Sequence, residues 1–294
     1  MSNEISSPRK ILILGASGML GQSLVSALAT IPDTTLFTPS SHDCDITDSD
    51  VLSDTVAQLA PNIIINCAAY TAVDNAETHI QEANALNHLA PQYIAYAANN
   101  VNALLVHIST DYVFDGLSDA PYHEDAHTNP INAYGRTKLL GEQAIVQTAR
   151  QYIIIRTQWL YSTVGHNFFL TMLRLFKTHG NVNVVADQFG SPTYAHDLAC
   201  AIRDIVVGFR PELSGIYHFA NSGRCSWCDF AQAIASLAHT QCTVSPIPTS
   251  DYPTPAQRPH YSVLCTDKIA STFNLSIPSW RDALARCFNA LPQI

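Results

Sequence analysis

An apolar run that stops at a glycine is the feature that most constrains how this chain folds. Lys10-Ile-Leu-Ile-Leu leads into Gly15-Ala-Ser-Gly18-Met-Leu-Gly21, three glycines at three-residue intervals before a helix-like stretch. A strand, a tight turn and a helix N-terminus account for that order. The bare amides of such a turn and the positive end of the helix dipole suit a pyrophosphate. The turn therefore predicts a dinucleotide site touching Gly15, Ser17, Gly18, Met19, Leu20 and Gly21. An ordinary strand–helix turn is the plainer alternative.

The rest of the first half repeats the alternation. Strands are expected at Ile11–Leu14, Thr35–Thr38, Asn62–Asn66, Leu104–Ser109 and Tyr152–Arg156. Helices are expected at Met19–Ala29, Asp50–Leu59, Ile80–Asn99 and Tyr134–Gln151. Short, wholly apolar strands between helices predict βαβ units and a doubly wound parallel sheet, an α/β fold covered on both faces. The second half is less regular. Helices are expected at Asn167–His179, Ala195–Val207, from Phe230 and at Ser279–Leu291, with strands at Val182–Val185 and Gly215–Phe219. Pro246–Pro259 reads as a loop. There is no internal repeat and no clean linker, which predicts a smaller C-terminal α/β domain interleaved with the first. The expected division is 8–160 for the dinucleotide, with parts of 182–212 returning to it, and 161–181 with 213–294 mainly for the substrate.

Charge and hydropathy narrow the partners. The 294 residues are 47% hydrophobic and 13% charged, with a formal net charge of −9. That composition is globular, and its sign speaks against a nucleic-acid partner. Anionic ligands must be held by local amides and a few placed cations. No apolar run reaches membrane-span length, and the N-terminus lacks the apolar core of a signal peptide, so a cytoplasmic protein without a membrane partner is expected. Of the eight cysteines only Cys225-Ser-Trp-Cys228 is closely spaced. No second pair completes a zinc site, so buried thiols are expected there and no metal ligands.

Tyr134 and Lys138 carry the chemistry. Their i, i+4 spacing puts both on one helix face. An ammonium beside a phenol favours the phenolate, which brings tyrosine toward use as a general acid or base. Ile108-Ser109-Thr110-Asp111-Tyr112 ends the fourth strand, where ligands meet a parallel sheet, and Thr110 is placed to donate to a carbonyl oxygen. Asn66-Cys67-Ala68-Ala69-Tyr70 ends the third strand with small residues that let a cofactor approach, and Thr71-Ala-Val73-Asp74 continues beside it. The second strand ends in Phe37-Thr-Pro-Ser-Ser-His42, with no carboxylate for a ribose diol and no arginine for a 2′-phosphate. NADPH and NADH both stay open, with a lean to NADPH. Asp45 and Ile46 either border the adenine or, for Asp45, cap the next helix.

With these residues in place, the chain resembles the extended short-chain dehydrogenase/reductase family over nearly its whole length. The blocks that carry the resemblance are Gly15–Gly21, Asn66–Glu77, Ser109–Gly116, Asn129–Glu142, Arg156–Tyr161, Asp187–Leu198 and Arg258–Leu264. The resemblance implies a Rossmann-type sheet and NADPH- or NADH-dependent reduction of a 4-keto-6-deoxyhexose carried on a nucleoside diphosphate. It also implies roles. Tyr134 protonates the C4 oxygen, Lys138 holds the nicotinamide ribose and lowers the tyrosine pKa, and Thr110 hydrogen-bonds the same oxygen. Cys67, Ala68, Ala69 and Tyr70 line the nicotinamide, with Asp45 and Ile46 toward the adenine. Thr71, Val73, Asp74, Asp111, Tyr112 and Trp159 contact the nucleotide-sugar, and Arg258 faces its diphosphate. Two departures stand out: Cys228 replaces an expected aromatic residue, and Cys67 an expected alanine. Some members hold Mg²⁺ at a dimer interface through glutamates, but Pro192–Asp197 contains none, so the metal stays open, as does monomer against homodimer. Reductases, epimerases and dehydratases for other nucleotide-sugars and a non-catalytic regulatory subunit share the scaffold. Asp111 followed by Tyr112, rather than by a second acid, speaks against dehydration, and the intact Thr110, Tyr134 and Lys138 speak for catalysis.

Overall fold

The computed structural model describes residues 9–292. Six strands form one parallel sheet: β1 (Arg9–Leu14), β2 (Thr34–Phe37), β3 (Ile63–Asn66), β4 (Leu104–Thr110), β5 (Tyr152–Thr157) and, after four strands that lie outside it, β10 (Gly215–His218). Their order is β10-β5-β4-β3-β1-β2. Register runs straight across it, with Ile13 beside Ile65, Ile65 beside Val106 and Val106 beside Ile153. Successive strand residues point to opposite faces, so Ile13, Ile65, Val106 and Ile153 join one core while Leu12, Ile64, Leu105 and Ile154 join another. Two buried faces explain why the strands are apolar throughout rather than alternating.

Helices α1 (Met19–Leu28), α2 (Ser49–Leu59), α3 (Val73–Ala76), α4 (Ile80–Asn84), α5 (Ala90–Asn100) and α6 (Ala133–Thr148) belong to the first half. Helices α7 (Phe168–Thr178), α8 (Ala195–Gly208), α9 (Trp227–Leu237), α10 (Asp267–Phe273) and α11 (Trp280–Asn289) follow. Residues of α1 and α8 cover one sheet face, and residues of α2, α5 and α6 the other. A separate apolar cluster built on Tyr161, Phe169, Phe230, Trp280 and Leu284 gathers α7, α9 and α11. Around it lie the short strands β6 (Leu160–Tyr161), β7 (Asn181–Val185), β8 (Phe189–Gly190), β9 (Thr193–Tyr194), β11 (Cys225–Ser226) and β12 (Thr243–Ile247), paired two by two.

Three departures from the sequence expectation have physical reasons. The expected helix over Ile80–Asn99 is broken by a π-helical turn at Ala85–Leu89. Pro91 has no N–H to give the Asn87 carbonyl, and that carbonyl faces Gly141 so closely that a Cβ there would lie 2.1 Å from it. Second, the first two residues of the stretch read as a loop, Pro246 and Ile247, still belong to β12, which pairs in parallel with β7. Proline is tolerated because the pair is an edge on its outer side. Third, Gly215–His218 was expected with the smaller unit, yet it is the edge strand of the main sheet, and Ile269 of α10 packs in that sheet's core.

Candidate active site

The chain winds outward from β1 in both directions, to β2 on one side and to β3 on the other. The carboxyl ends of strands at such a reversal frame a ligand crevice. Here they open into a cavity of about 660 Å³, within the usual size of small-molecule sites.

One end of the cavity is the glycine turn. Gly15 sits at φ +81°, and a Cβ on it would lie 2.7 Å from the Ala68 nitrogen. A Cβ on Gly21 would lie 2.3 Å from the Gly15 carbonyl. Only glycine lets the turn, the helix and the β3 end pack together. Helix α1 has Gly18 as its N-cap and no side-chain cap, so its first amides stay free for an anion. Ser17, Met19 and Leu20 complete this wall, with Cys67, Ala68 and Ala69 opposite. Burial pushes the Cys67 thiol up to about 12.

The other wall holds the reactive groups. Thr110 is the last residue of β4. Its hydroxyl donates to Asp111 Oδ1 at 3.0 Å and accepts from the Tyr112 amide at 3.2 Å. Helix α6 starts at the N-cap Asn132, whose side chain accepts from Gly135 N at 2.8 Å. A Cβ on Gly135 would lie 2.1 Å from the Tyr112 carbonyl, so glycine lets the first turn press against the β4 end. That contact sets Tyr134 beside Tyr112, rings 5.6 Å apart and edge to face. One turn on, Lys138 is fully buried and donates to the Ile108 carbonyl at 2.6 Å. Behind it, Glu142 and Arg156 form a buried bidentate pair with Nε–Oε1 at 3.0 Å and Nη2–Oε2 at 2.8 Å, and Ser109 also donates to Glu142. This pair anchors α6 to β4 and β5.

The electrostatics correct one sequence expectation. Lys138 does not draw Tyr134 toward the phenolate. Burial pushes Tyr134 up to about 12, with Thr110's hydrogen bond opposing it, so the phenol is a proton donor at neutral pH. Burial brings Lys138 down to about 8 and holds His107 well below its ordinary value. Asp111 is pushed up to about 7 by burial, and its Oδ2 has no partner.

Among the residues expected from the sequence, the cavity also brings together Thr71, Val73, Asp111, Tyr112 and Trp159. Five lie outside its lining. Asp45 accepts from Thr47 N and Oγ1 in a local turn, and the cap of α2 is Asp48. Ile46 is packed in the second core. The Tyr70 backbone is clasped by Asn87, with N–Oδ1 at 2.8 Å and Nδ2–O at 3.1 Å. Asp74 and Arg258 face each other in a bidentate pair at 2.9 and 2.7 Å. The sequence reading missed Thr157, Gln158, Leu86, His166 and Trp227, which also line the cavity. Thr157 and Gln158 were findable as the end of β5, beside the β4 end. Trp227 was not. It stacks on Trp159 at 3.6 Å from a separate stretch of chain, and Trp159 takes φ +45° to meet it. Gly190 makes room for that ring, since a Cβ there would lie 2.5 Å from it. All eight cysteines are free, and Cys225 and Cys228 are buried. Among the described residues, no group of three or more His, Cys, Asp or Glu side chains is placed to hold a metal ion. None of the described helices is long and apolar enough to cross a membrane.

Comparison with known proteins agrees with this geometry. Residues 9–292 match the RmlD substrate binding domain family. The chain is 40% identical to the dTDP-4-dehydrorhamnose reductase of Escherichia coli K12 over 96% of this chain and 97% of that one. It is also 40% identical to the Burkholderia thailandensis enzyme of the same name, over 96% and 99%. Among solved structures, a Bacillus anthracis dTDP-4-dehydrorhamnose reductase in complex with NADP superposes with a TM-score of 0.92 at 39% identity, covering 96% of this chain and 99% of that one.

Proposed function

Because this chain belongs to the RmlD substrate binding domain family, we propose that it reduces the C4 ketone of dTDP-4-dehydrorhamnose to give dTDP-L-rhamnose, a precursor for polysaccharide synthesis. The observation that carries the reading is the convergence of Thr110, Tyr134 and Lys138 on the cavity that the glycine turn closes at its other end. The enzyme is an NAD(P)H-dependent oxidoreductase. The NADP held by the Bacillus anthracis relative supports NADPH here.

The residues present fit the cofactor. The uncapped start of α1 and the Gly15–Gly21 turn suit its diphosphate, and Cys67, Ala68 and Ala69 form the flat wall for its nicotinamide. Once bound, the reduced nicotinamide supplies a hydride to the sugar C4. As charge grows on the C4 oxygen, the Thr110 hydroxyl turns from Asp111 to donate to it. The Tyr134 phenol, kept protonated by its burial, delivers the proton. Lys138 would hold the ribose hydroxyls of the bound cofactor. Each such donor contributes roughly 10²–10³-fold. Thr71, Val73, Asp111, Tyr112 and Trp159 are assigned to the nucleotide-sugar. The six-stranded part serves the cofactor, and the part built on α7, α9 and α11 closes over the sugar nucleotide. We place the enzyme in the cytoplasm, as a monomer or homodimer.

The test is oxidation of NADPH and NADH, followed at 340 nm with dTDP-4-dehydrorhamnose made in situ. Wild-type turnover is expected. Tyr134→Phe should bind NADPH with unchanged affinity and lose at least about 10²-fold in kcat. Near-wild-type turnover in that variant refutes the assigned role.

A further inference from the structure

Behind Lys138 lies a buried chain of hydrogen bonds that the reaction, as described, does not use. Asn66 at the end of β3, His107 on β4 and Lys138 on α6 are each about 1% exposed. The Ala68 amide donates to Asn66 Oδ1 at 3.1 Å. A backbone N–H is a donor without ambiguity, so it fixes which way the Asn66 amide points. Asn66 Nδ2 therefore faces His107 Nδ1, at 3.1 Å. An amide NH₂ only donates, so Nδ1 is bare and the single proton of the neutral ring sits on Nε2. Nε2 lies 3.2 Å from Lys138 Nζ. An ammonium has no lone pair to receive that N–H, whereas a neutral amine has one. With a neutral amine every group has its partner: Ala68 N–H to Asn66, Asn66 to His107, His107 to Lys138, and Lys138 to the Ile108 carbonyl.

We infer that Asn66 and His107 form a tautomer relay that stabilises the neutral amine form of Lys138 in the ligand-free enzyme and so opposes its charging. Charging the lysine needs a matching rearrangement. A proton arrives at Nδ1, the Nε2 proton passes to Nζ, and the ring stays neutral as its other tautomer. Nδ1–H now faces Asn66, whose amide must turn its oxygen toward the ring and give up the Ala68 amide. Ala68 packs against Gly15, so the lysine's charge is tied to the backbone that lines the cofactor wall. The other charged or titratable groups facing Lys138 are Glu142, one turn further on α6 and paired with Arg156, and Cys67 after β3; both favour the ammonium. Against them stand burial and the relay. Asn66 and His107 are positioning residues: they act through Lys138 and line neither ligand.

The inference rests on the proposed reductase site, but its test uses enzyme without ligands, so the two fail separately. Long-range ¹H–¹⁵N spectra of ¹⁵N-histidine-labelled protein report each ring's tautomer. Of the twelve histidines, the His107 signal is the one lost in His107→Phe. Should that variant not fold, it is the signal that ceases to titrate in Lys138→Met. At pH 9.5 the wild-type ring should carry its proton on Nε2, and as Lys138 charges near pH 8 the proton should move to Nδ1 with the ring still neutral. A ring with Nδ1–H throughout, or one that becomes doubly protonated, overturns the relay. A second readout is the pH profile of kcat/KM. Asn66→Ala removes the penalty on the ammonium and should move the lysine-linked limb up by about one pH unit, a tenfold change in proton affinity. An equal loss of rate at every pH would mean that Asn66 is only structural, which also overturns the relay.

Discussion

At the scale of single residues, burial rather than neighbouring charge sets the state of the reactive groups. Tyr134 keeps its proton because desolvation of the half-buried phenol disfavours the phenolate, which suits an acid in a reduction. Desolvation also acts on Asp111, which is fully buried. Its Oδ1 receives Thr110, while its Oδ2 is buried without a partner, and the carboxyl is pushed up to about 7. The sign of the consequence follows. A carboxyl with a raised native pKa costs nothing below about pH 4, where it is neutral in both states. Between about 4 and 7 the unfolded chain ionises it and the native state does not, so stability falls as pH rises, and above about 7 the full loss stays. Asp111→Asn keeps the acceptor for Thr110 and removes the charge. It should raise Tm at pH 8 by on the order of 5 °C and change it little at pH 4. Thermal melts at the two pH values check this, and a gain equal at both would show that the carboxyl is not held neutral.

At the scale of elements, glycines set the distances that place these residues. Gly141 lets α6 lie on the π-helical turn, where Asn87 clasps Tyr70 and also donates to Thr137 at 3.2 Å. Gly141→Ala would put a Cβ 2.1 Å from a carbonyl, and overpacking of this kind costs about 1–3 kcal/mol. The expected outcome is a Tm several degrees lower together with reduced kcat, since α6 carries Tyr134 and Lys138. Leu140→Ala next to it, on the exposed side, should change neither. If Gly141→Ala melts and turns over like wild type, α6 is not held by this contact. The contrast also shows what sequence can reveal. Strand ends at the sheet's carboxyl edge are local signals, so Gly15, Thr110 and Ala68 could be placed by pattern alone. The π-helical turn depends on a carbonyl of one helix meeting a glycine of another, and no periodicity in Ile80–Asn99 records it. Trp227 and the relay of Asn66, His107 and Lys138 are likewise made by segments distant in sequence. Arg258 was read from the sequence as facing the substrate's diphosphate; the carboxylate it meets, Asp74, lies 184 residues away and is visible only in the fold.

At the scale of the whole molecule, that arginine acts between the two halves. The loop at Ala256–Arg258 comes from the C-terminal part and ends against the N-terminal part. Arg258 grips Asp74 with both nitrogens, Ala256 N donates to the same carboxylate at 3.1 Å, and Asn132 at the start of α6 donates to the Gln257 carbonyl at 2.8 Å. The guanidinium holds the Asp74 carboxyl below its usual range. This arrangement straps the loop to the N-terminal part, and it competes with the sequence reading of Arg258 as the ligand of a diphosphate. The two roles separate in a double-mutant cycle. If Arg258 acts as a strap, Arg258→Met and Asp74→Asn each loosen the same loop. Each should then raise KM for the nucleotide-sugar by about tenfold, leave NADPH affinity unchanged, and together do no more than either alone. If Arg258 instead grips the diphosphate, Asp74→Asn frees it for that work and should lower KM or leave it unmoved, while Arg258→Met alone is severe. Additive losses in the cycle, or a harmless Asp74→Asn beside a damaging Arg258→Met, would remove the strap and restore the arginine to the substrate.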